Sequence, residues 1–309
     1  MEESNKQSQV QRESFTTISA QVEDALLWLE SIVPTVRATR FGAYTRSIKT
    51  LVARHKNQEN DVLASNFDEY ANAILEVKEL LTIMEYLRKV DLASVRGLLK
   101  KIAGGPVIYH DENPSESTNA PRNFATELHL AAKLHGAGLA ALLPGAEDVR
   151  TRFRGRTIYF ECKRPFSLDS VEENLTKAAS QLSSRYSKQN SLERGIVLCD
   201  LSRSIKLAFG FPVKNDSELL SSMNNEVDKV IAVSGQALRK IVHPKTIGVA
   251  FRLACMTEIE DKSLLTYGSF YTFMALRSRS LRDQAVVRHL AEFLMQSGTT
   301  NYFLELEQR

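Results

Sequence analysis

The ten residues RTIYFECKRP, Arg156–Pro165, decide the fold because they place two charges inside an apolar run. Successive side chains of a strand point to opposite faces of a sheet. Glu161 and Lys163 therefore share one face of a predicted strand with Tyr159, and the opposite face is apolar. That apolar face suits packing against a helix and consists of Ile158, Phe160 and Cys162.

A second strand, DVRTRF from Asp148 to Phe153, precedes this stretch and is predicted to pair with it as a hairpin. The two residues between the strands, Arg154-Gly155, suit a tight primed turn, which favours glycine at its second position. In that register Phe153 pairs with Arg156, and Asp148 falls opposite Glu161. Like charges opposed in this way are destabilising, and a divalent cation between the carboxylates would remove the repulsion. Oxygen ligands suit Mg²⁺ or Mn²⁺, so the pattern predicts a metal site.

Lys163 strengthens this prediction, because it lies two residues from Glu161 on the same face. Its ammonium could position or help deprotonate an attacking water, or stabilise charge on phosphorus oxygens. The competing interpretation is a Glu-Lys pair on a solvated strand face, where a surface salt bridge contributes little. Three features favour the metal site: the upstream aspartate, a glutamate-bearing helix before the hairpin, and a basic helix after it.

Asp148 followed by Glu161-Cys162-Lys163, within a predicted α-β-β-β-α-β order, resembles the PD-(D/E)XK nuclease superfamily, which has the restriction-endonuclease-like fold. The resemblance covers about 123–202, roughly a quarter of the chain. It implies that Asp148 and Glu161 bind the metal and that the backbone carbonyl of Cys162 is a further ligand. It also implies that Lys163 assists the attacking water.

The family often has a glutamate on its first helix that completes the site, and Glu127 in NFATELHLAA matches it. Without the resemblance, Glu127 would be interpreted as an ordinary exposed helix carboxylate. The sequence departs from the family pattern just before Asp148, where the residue is Glu147 and the proline lies further back, in PGAED. Glu147 is therefore a rival ligand if the strand register slips.

A basic stripe is predicted on the helix after the hairpin, in DSVEENLTKAASQLSSRYSKQ. Lys177, Gln181, Arg185 and Lys188 recur there at helical spacing, and beside a metal site such a stripe can hold phosphates. A stripe of this kind is more commonly a solvated helix face. Members of the family related to recombination exonucleases carry Gln and Tyr four residues apart here. Gln181 matches, which implies a DNA contact, but Arg185 takes the second place.

Arginines also enrich the hairpin in positive charge. Arg150 and Arg152 share the face of Asp148, and Arg164 follows the second strand. We predict nucleic-acid contacts for these three arginines as well as for the basic stripe. The formal net charge of the chain is only +3, which neither demands nor excludes nucleic acid, so local clustering carries this prediction.

Composition narrows the cellular setting. Three cysteines lie singly in apolar runs and no CxxC pair occurs, so neither a zinc ribbon nor a disulfide framework is expected and a reducing compartment fits. The N-terminus lacks the apolar segment of a secretion signal. No apolar run reaches the ~18 residues that span a bilayer. We therefore expect a cytoplasmic protein without a membrane partner.

The chain is predicted to be an α/β protein, with a restriction-endonuclease-like mixed-sheet core between an all-helical N-terminal domain and a C-terminal α+β extension. Helical spacing in NFDEYANAILEVKELLTIMEYLRKV marks the first domain, and GGPVIYHDENPSESTNAPR is typical of a linker. The predicted segments are a disordered tail (1–15), the helical domain (16–105), the linker (106–121), and a nuclease-like domain (122–309) with its core at 122–203 and its extension at 204–309.

These patterns together predict a Mg²⁺-dependent deoxyribonuclease of restriction, repair or phage defence, with DNA favoured over RNA as its partner. The helical domain would serve targeting, regulation or oligomerisation, through a second copy or a protein partner. A second hypothesis is a non-catalytic nucleic-acid-binding or assembly protein on the same fold. A third is a chiefly structural helical scaffold.

Overall fold

The computed structural model describes residues 11–57, 67–90, 95–108, 111–143, 148–205, 213–259, 264–276, 279–296 and 302–305. These residues form nine α-helices and eight β-strands. The helices are α1 (Phe15–Glu30), α2 (Arg40–Lys56), α3 (Phe67–Leu87), α4 (Arg96–Ile102), α5 (Ala120–Gly136), α6 (Val171–Arg185), α7 (Asp216–Val233), α8 (Gly235–Lys240) and α9 (Leu281–Gln296). The strands are β1 (Gln11–Ser14), β2 (Ala141–Leu142), β3 (Val149–Phe153), β4 (Arg156–Lys163), β5 (Glu193–Asp200), β6 (Thr246–Ile259), β7 (Leu264–Ala275) and β8 (Tyr302–Glu305).

The strands form one mixed sheet in the order β1-β8-β7-β6-β5-β4-β3-β2. Strands β4, β5 and β6 run parallel, whereas β2, β3 and β7 are antiparallel to their neighbours, and β8 and β1 extend the sheet beyond β7. Strand β5 is buried along nearly its whole length, which explains its apolar sequence GIVLCD, since parallel strands are covered on both faces. The α/β class is confirmed, and the elements from α5 to β5 follow the predicted α-β-β-β-α-β order.

The β3–β4 hairpin has the predicted register. Phe153 pairs with Arg156, and the ladder ends at Val149 opposite Phe160. The two turn residues have φ angles of 48° at Arg154 and 74° at Gly155, as a type I′ turn requires at both central positions. Because this turn fixes the register, it also fixes which residues meet at the far end of the hairpin.

Helices cover both faces of the sheet, and each face has its own hydrophobic cluster. The apolar residues of β4 pack with α5, α9 and the N-terminal helices α1 to α4, as predicted for that face. The other face packs with α6, α7 and α8. All three cysteines are buried and free. The hairpin is therefore held between two helical layers.

A buried set of ion pairs ties the N-terminal helices to α5 and the sheet. The carboxylate of Glu76, on α3, forms ion pairs with Arg40 at an N···O distance of 2.6 Å and with Arg122 at 2.5 Å. Arg252, on β6, forms an ion pair with Asp200 at 2.5 Å. Four arginines and four carboxylates are matched in this way. We call them the arginine network: Arg40, Arg122, Arg203, Arg252, Glu76, Glu79, Glu112 and Asp200.

Two of the predicted segments look different in the structure. The first ten residues of the predicted disordered tail lie outside the described residues, but Gln11–Ser14 form β1, paired in parallel with β8, which corrects that part of the prediction. The predicted linker, 106–121, contributes Glu112 to the arginine network, and one continuous hydrophobic cluster spans the helices on either side of it. The division into separate domains stays a prediction. Within the described part of the chain, none of the helices is both long and apolar enough to cross a bilayer.

Candidate active site

The candidate site lies at the end of the β3–β4 hairpin that is farther from the turn. Asp148 comes just before β3, and its Oδ2 accepts a hydrogen bond from the backbone N–H of Cys162 at 2.5 Å. This bond continues the hairpin past its last ladder pair. The N–H and C=O of one strand residue leave the same edge of the strand, so the carbonyl of Cys162 also faces the side where Asp148 lies. The predicted convergence of Asp148 with the Glu161 end of β4 is therefore present.

Glu161 is buried, with 1% of its side chain exposed, and both of its carboxylate oxygens are paired. Lys163 contacts Oε1 at 2.7 Å, and Arg185, at the end of α6, contacts Oε2. Helix α6 packs over β4 and β5 and encloses this face. A surface salt bridge on a solvated strand, the competing interpretation from sequence, is therefore wrong for Glu161.

Glu127, on α5, completes a group of three acidic residues that we call the carboxylate cluster: Glu127, Asp148 and Glu161. Burial raises the pKa of Glu127 to about 8, and repulsion from Asp148 adds to the effect. Burial, followed by repulsion from Glu161, raises the pKa of Asp148 to about 6. Asp148 and Glu161 thus both raise the pKa of Glu127, and Glu161 raises that of Asp148, because the positive charge near these acids does not offset their burial and mutual repulsion.

The cluster supplies hard oxygen donors, the ligand type that Mg²⁺ and Mn²⁺ prefer. Asp148 Oδ1 does not take part in the bond to Cys162, and Glu127 lies close enough to Asp148 to repel it. Among the described residues, however, no three His, Cys, Asp or Glu side chains are arranged so that they could hold a metal ion. The donor chemistry fits a divalent cation, but Glu161 could join as a ligand only if Arg185 or Lys163 released one of its oxygens.

The basic stripe of α6 is divided in the structure. Arg185 contacts Glu161, whereas Lys177, two turns earlier, is exposed. Between them, the Oε1 atom of Gln181 is buried without a hydrogen-bond partner. Helix α6 ends at Arg185. Lys188 lies three residues beyond this end, so its predicted place on the helical stripe is wrong. Lys177 on α6 and Lys188 beyond its end are the members of the predicted stripe whose charges are exposed to a phosphate.

The hairpin arginines are also in different surroundings. Arg152 is exposed and Arg150 is partly buried on the face of β3 that carries Asp148. Arg164 is different, because its Nε and Nη1 atoms are buried without hydrogen-bond partners. It lines a small cavity beside Glu76 and Arg203 of the arginine network. Two of its three guanidinium nitrogens are therefore turned away from solvent, and the nucleic-acid contact of Arg164 stays a prediction.

Lys101, on α4, is a site residue that the sequence did not reveal. Its ammonium attracts Glu127 electrostatically and lies 4.4 Å from the centre of the Phe124 ring. No spacing relates Lys101 to the hairpin, since it belongs to the predicted helical domain. Glu147, the rival ligand, lies outside the described residues.

A comparison with family models found no match, and a search of curated proteins found none either. The case for the site therefore depends on its residues and their geometry.

Proposed function

We propose that the protein is a metal-dependent nuclease of the PD-(D/E)XK type, which hydrolyses phosphodiester bonds in DNA rather than RNA. One observation carries the proposal. The Asp148 carboxylate is fixed by the N–H of Cys162, between Glu161 and Lys163 in the chain. This is the Asp…Glu-x-Lys set of the family, at the end of a hairpin whose register leaves little freedom.

Asp148, Glu127 and the carbonyl of Cys162 would hold Mg²⁺ or Mn²⁺, and Glu161 would join them once Arg185 leaves Oε2. The bound ion would supply Lewis acidity and a more acidic water. The raised pKa values of Glu127 and Asp148 support this assignment, because both groups would be easier to ionise beside a divalent cation.

Lys163 would act at the reacting phosphate. Its side chain is 17% exposed, so the ammonium is held by Glu161 and still reaches the edge of the site. A cation there can orient the attacking water or stabilise the charge that develops on the phosphorus oxygens. Enclosure of Glu161 under α6 lowers the local dielectric, which strengthens these interactions.

The test is cleavage of supercoiled plasmid and of a labelled single-stranded oligonucleotide in Mg²⁺ or Mn²⁺. We expect Lys163→Ala to lower the rate at least ~100-fold, the scale on which a positioned proton-transfer or charge-stabilising group contributes. Lys229→Ala, on an exposed turn of α7, is the matched control and should cleave like wild type. Equal rates for wild type and Lys163→Ala, with unchanged thermal unfolding, would overturn the assignment.

A second candidate is a non-catalytic nucleic-acid-binding protein on the same fold. The observation that favours it is the complete pairing of Glu161 by Lys163 and Arg185, which needs no metal. Such a protein would bind DNA but would cleave neither the plasmid nor the oligonucleotide, whether Mg²⁺ or Mn²⁺ is present. The cytoplasmic setting and an oligomer through the N-terminal helices stay predictions.

A further inference from the structure

A cleft of about 410 Å³ lies beside the turn of the β3–β4 hairpin, where the turn meets α9. We call it the hairpin cleft. Its volume falls in the range of about 300–1,000 Å³ found for small-ligand sites. Its lining combines two arginines, a histidine, a carboxylate and two aromatic rings: Arg152, Arg154, His289, Glu292, Phe153 and Phe293.

One side of the hairpin cleft is rich in hydrogen-bond donors. Arg152 is exposed and forms no ion pair with any carboxylate in the described ranges. Arg154 contacts Nδ1 of His289. Since a guanidinium can only donate, Nδ1 is the acceptor and Nε2 of His289 carries the ring proton. Two guanidinium groups and one ring N–H are therefore available together, which suits an anionic ligand such as a phosphate diester.

The other side of the cleft is aromatic. Phe153 is nearly buried at 7% exposure, and Phe293 from α9 is 37% exposed. Their ring centres lie 5.8 Å apart with the planes inclined by 55°. Phe153 thus supports Phe293 from within the core, while part of the outer ring stays accessible. An exposed phenylalanine alone would be an ordinary surface residue, but an aromatic ring beside arginines is the combination that binds unpaired bases.

The position of the cleft relates it to the candidate active site. Gly155 in the turn precedes Glu161 by six residues along β4, which corresponds to about 20 Å at ~3.3 Å per residue. Arg150 and Arg152 lie between them on the Asp148 face of β3.

We propose that the hairpin cleft binds one unpaired nucleotide of a single-stranded segment of the substrate, outside the candidate active site. The phosphate contacts Arg152, Arg154 and His289, and the base stacks on Phe293. Glu292 offers an acceptor for an exocyclic amino group of the base. The proposal rests on the proposed nuclease function for its substrate. It favours single strands because the bases of a duplex are already stacked on one another.

The test is fluorescence anisotropy of the full-length protein in EDTA, where no metal-dependent cleavage occurs, with a labelled oligodeoxycytidylate of about 12 nucleotides, whose bases carry an exocyclic amino group, and a duplex of equal length. We expect wild type to prefer the single strand. Phe293→Leu should raise the Kd for the single strand on the order of tenfold and leave the duplex Kd within about twofold, whereas Phe293→Trp keeps the wild-type Kd. Arg154→Gln should weaken single-strand binding, and Arg239→Gln, an exposed arginine on α8, is the matched control.

The inference is overturned if Phe293→Leu binds the single strand like wild type, or if wild type does not bind it. Thermal unfolding of each variant separates loss of binding from loss of folding. Two different results separate the proposal about the cleft from the proposal that the protein is a nuclease. Cleavage by wild type with unaltered affinity in Phe293→Leu would reject the cleft alone. Single-strand binding that depends on Phe293, without cleavage in either metal, would reject the nuclease alone.

Discussion

Two buried ionic clusters each combine a residue of α5 with residues of the sheet, Arg122 in one and Glu127 in the other, and they differ in charge balance. The arginine network pairs four arginines with four carboxylates, and α3 supplies two of the acids. The carboxylate cluster brings three acids together, while Lys163 and Arg185 are both engaged by Glu161. Each acid of the first cluster is paired with at least one arginine, whereas the second cluster has fewer cations than acids.

The pKa values of the acids express this difference. In the network, burial acts to raise the pKa of Glu76, but Arg122 and Arg40 outweigh it and lower the pKa well below its ordinary value. At the carboxylate cluster burial is not offset, and the pKa of Glu127 rises to about 8. Buried ion pairs that hold a structure together need a cationic partner for each acid. Acids whose pKa is strongly shifted and that lack such a partner mark candidate functional sites.

The largest effect should come from breaking the matched network. Glu76→Ala would leave Arg40 and Arg122 buried without their shared partner, which typically costs about 3–5 kcal/mol in the free energy of unfolding. Urea unfolding measures this, with Glu85→Ala, an exposed acid on the same helix, as the control expected within about 0.5 kcal/mol of wild type. A loss below about 1 kcal/mol in Glu76→Ala would mean that the network is not a structural ion-pair network.

At the carboxylate cluster we expect that removing an acid raises the free energy of unfolding instead of lowering it. The pKa of Glu127 is about 8 in the folded protein and 4.5 ordinarily, so the folded state holds a proton that the unfolded chain releases between these pH values. Stability from this group is complete below about pH 4.5 and is lost as pH rises to about 8, on the order of 5 kcal/mol for a rise in pKa of about 3.5. Glu127→Gln in EDTA should therefore be more stable than wild type at pH 8.

Urea unfolding at pH 5 and pH 8 measures this effect, and Glu172→Gln, an exposed acid on α6, should keep the wild-type pH dependence. The same pH dependence in Glu127→Gln and wild type would contradict the crowding of the cluster. Saturating Mn²⁺ should reduce the pH dependence of wild type, because a cation favours the ionised carboxylates.

A smaller effect should follow from removing the cation that pairs with Glu161 Oε2. Arg185→Gln frees this oxygen, so we expect the Mn²⁺ concentration for half-maximal binding, followed by calorimetry, to fall several-fold, equivalent to about 1 kcal/mol. Lys177→Gln changes an exposed residue two turns earlier on the same helix, so this variant should bind Mn²⁺ like wild type. Weaker Mn²⁺ binding in Arg185→Gln would mean that Arg185 supports the metal site instead of competing with the ion.

The hairpin could be predicted from the sequence because its information is local. Arg154-Gly155 determines the turn type, and the turn determines the strand register. The alternation of side chains along β4 determines which residues share a face, and the register brings Asp148 next to Cys162. The enclosure of Glu161 could not be predicted, since Arg185 reaches it from a separate helix 24 residues later in the chain. The helical spacing of the basic stripe predicts a positive charge at Arg185, but it does not show which side chain that charge will contact.

The arginine network could not be predicted for the same reason. Glu76 and Arg122 are 46 residues apart, and their contact depends on how α3 packs on α5. Arg164 illustrates the consequence, because its place next to Lys163 predicts a DNA contact. Two of its guanidinium nitrogens are instead buried beside Glu76, and a sequence pattern does not show which way an arginine after the end of a strand will turn.

The most direct test of the unmatched cluster is a crystal structure determined with Mn²⁺, in which anomalous scattering locates the ion. We expect one Mn²⁺ between Asp148 and Glu161, with the Cys162 carbonyl as a ligand and Arg185 displaced from Oε2. An ordered site in saturating Mn²⁺ that lacks an anomalous peak and keeps the Arg185–Glu161 pair would contradict the account.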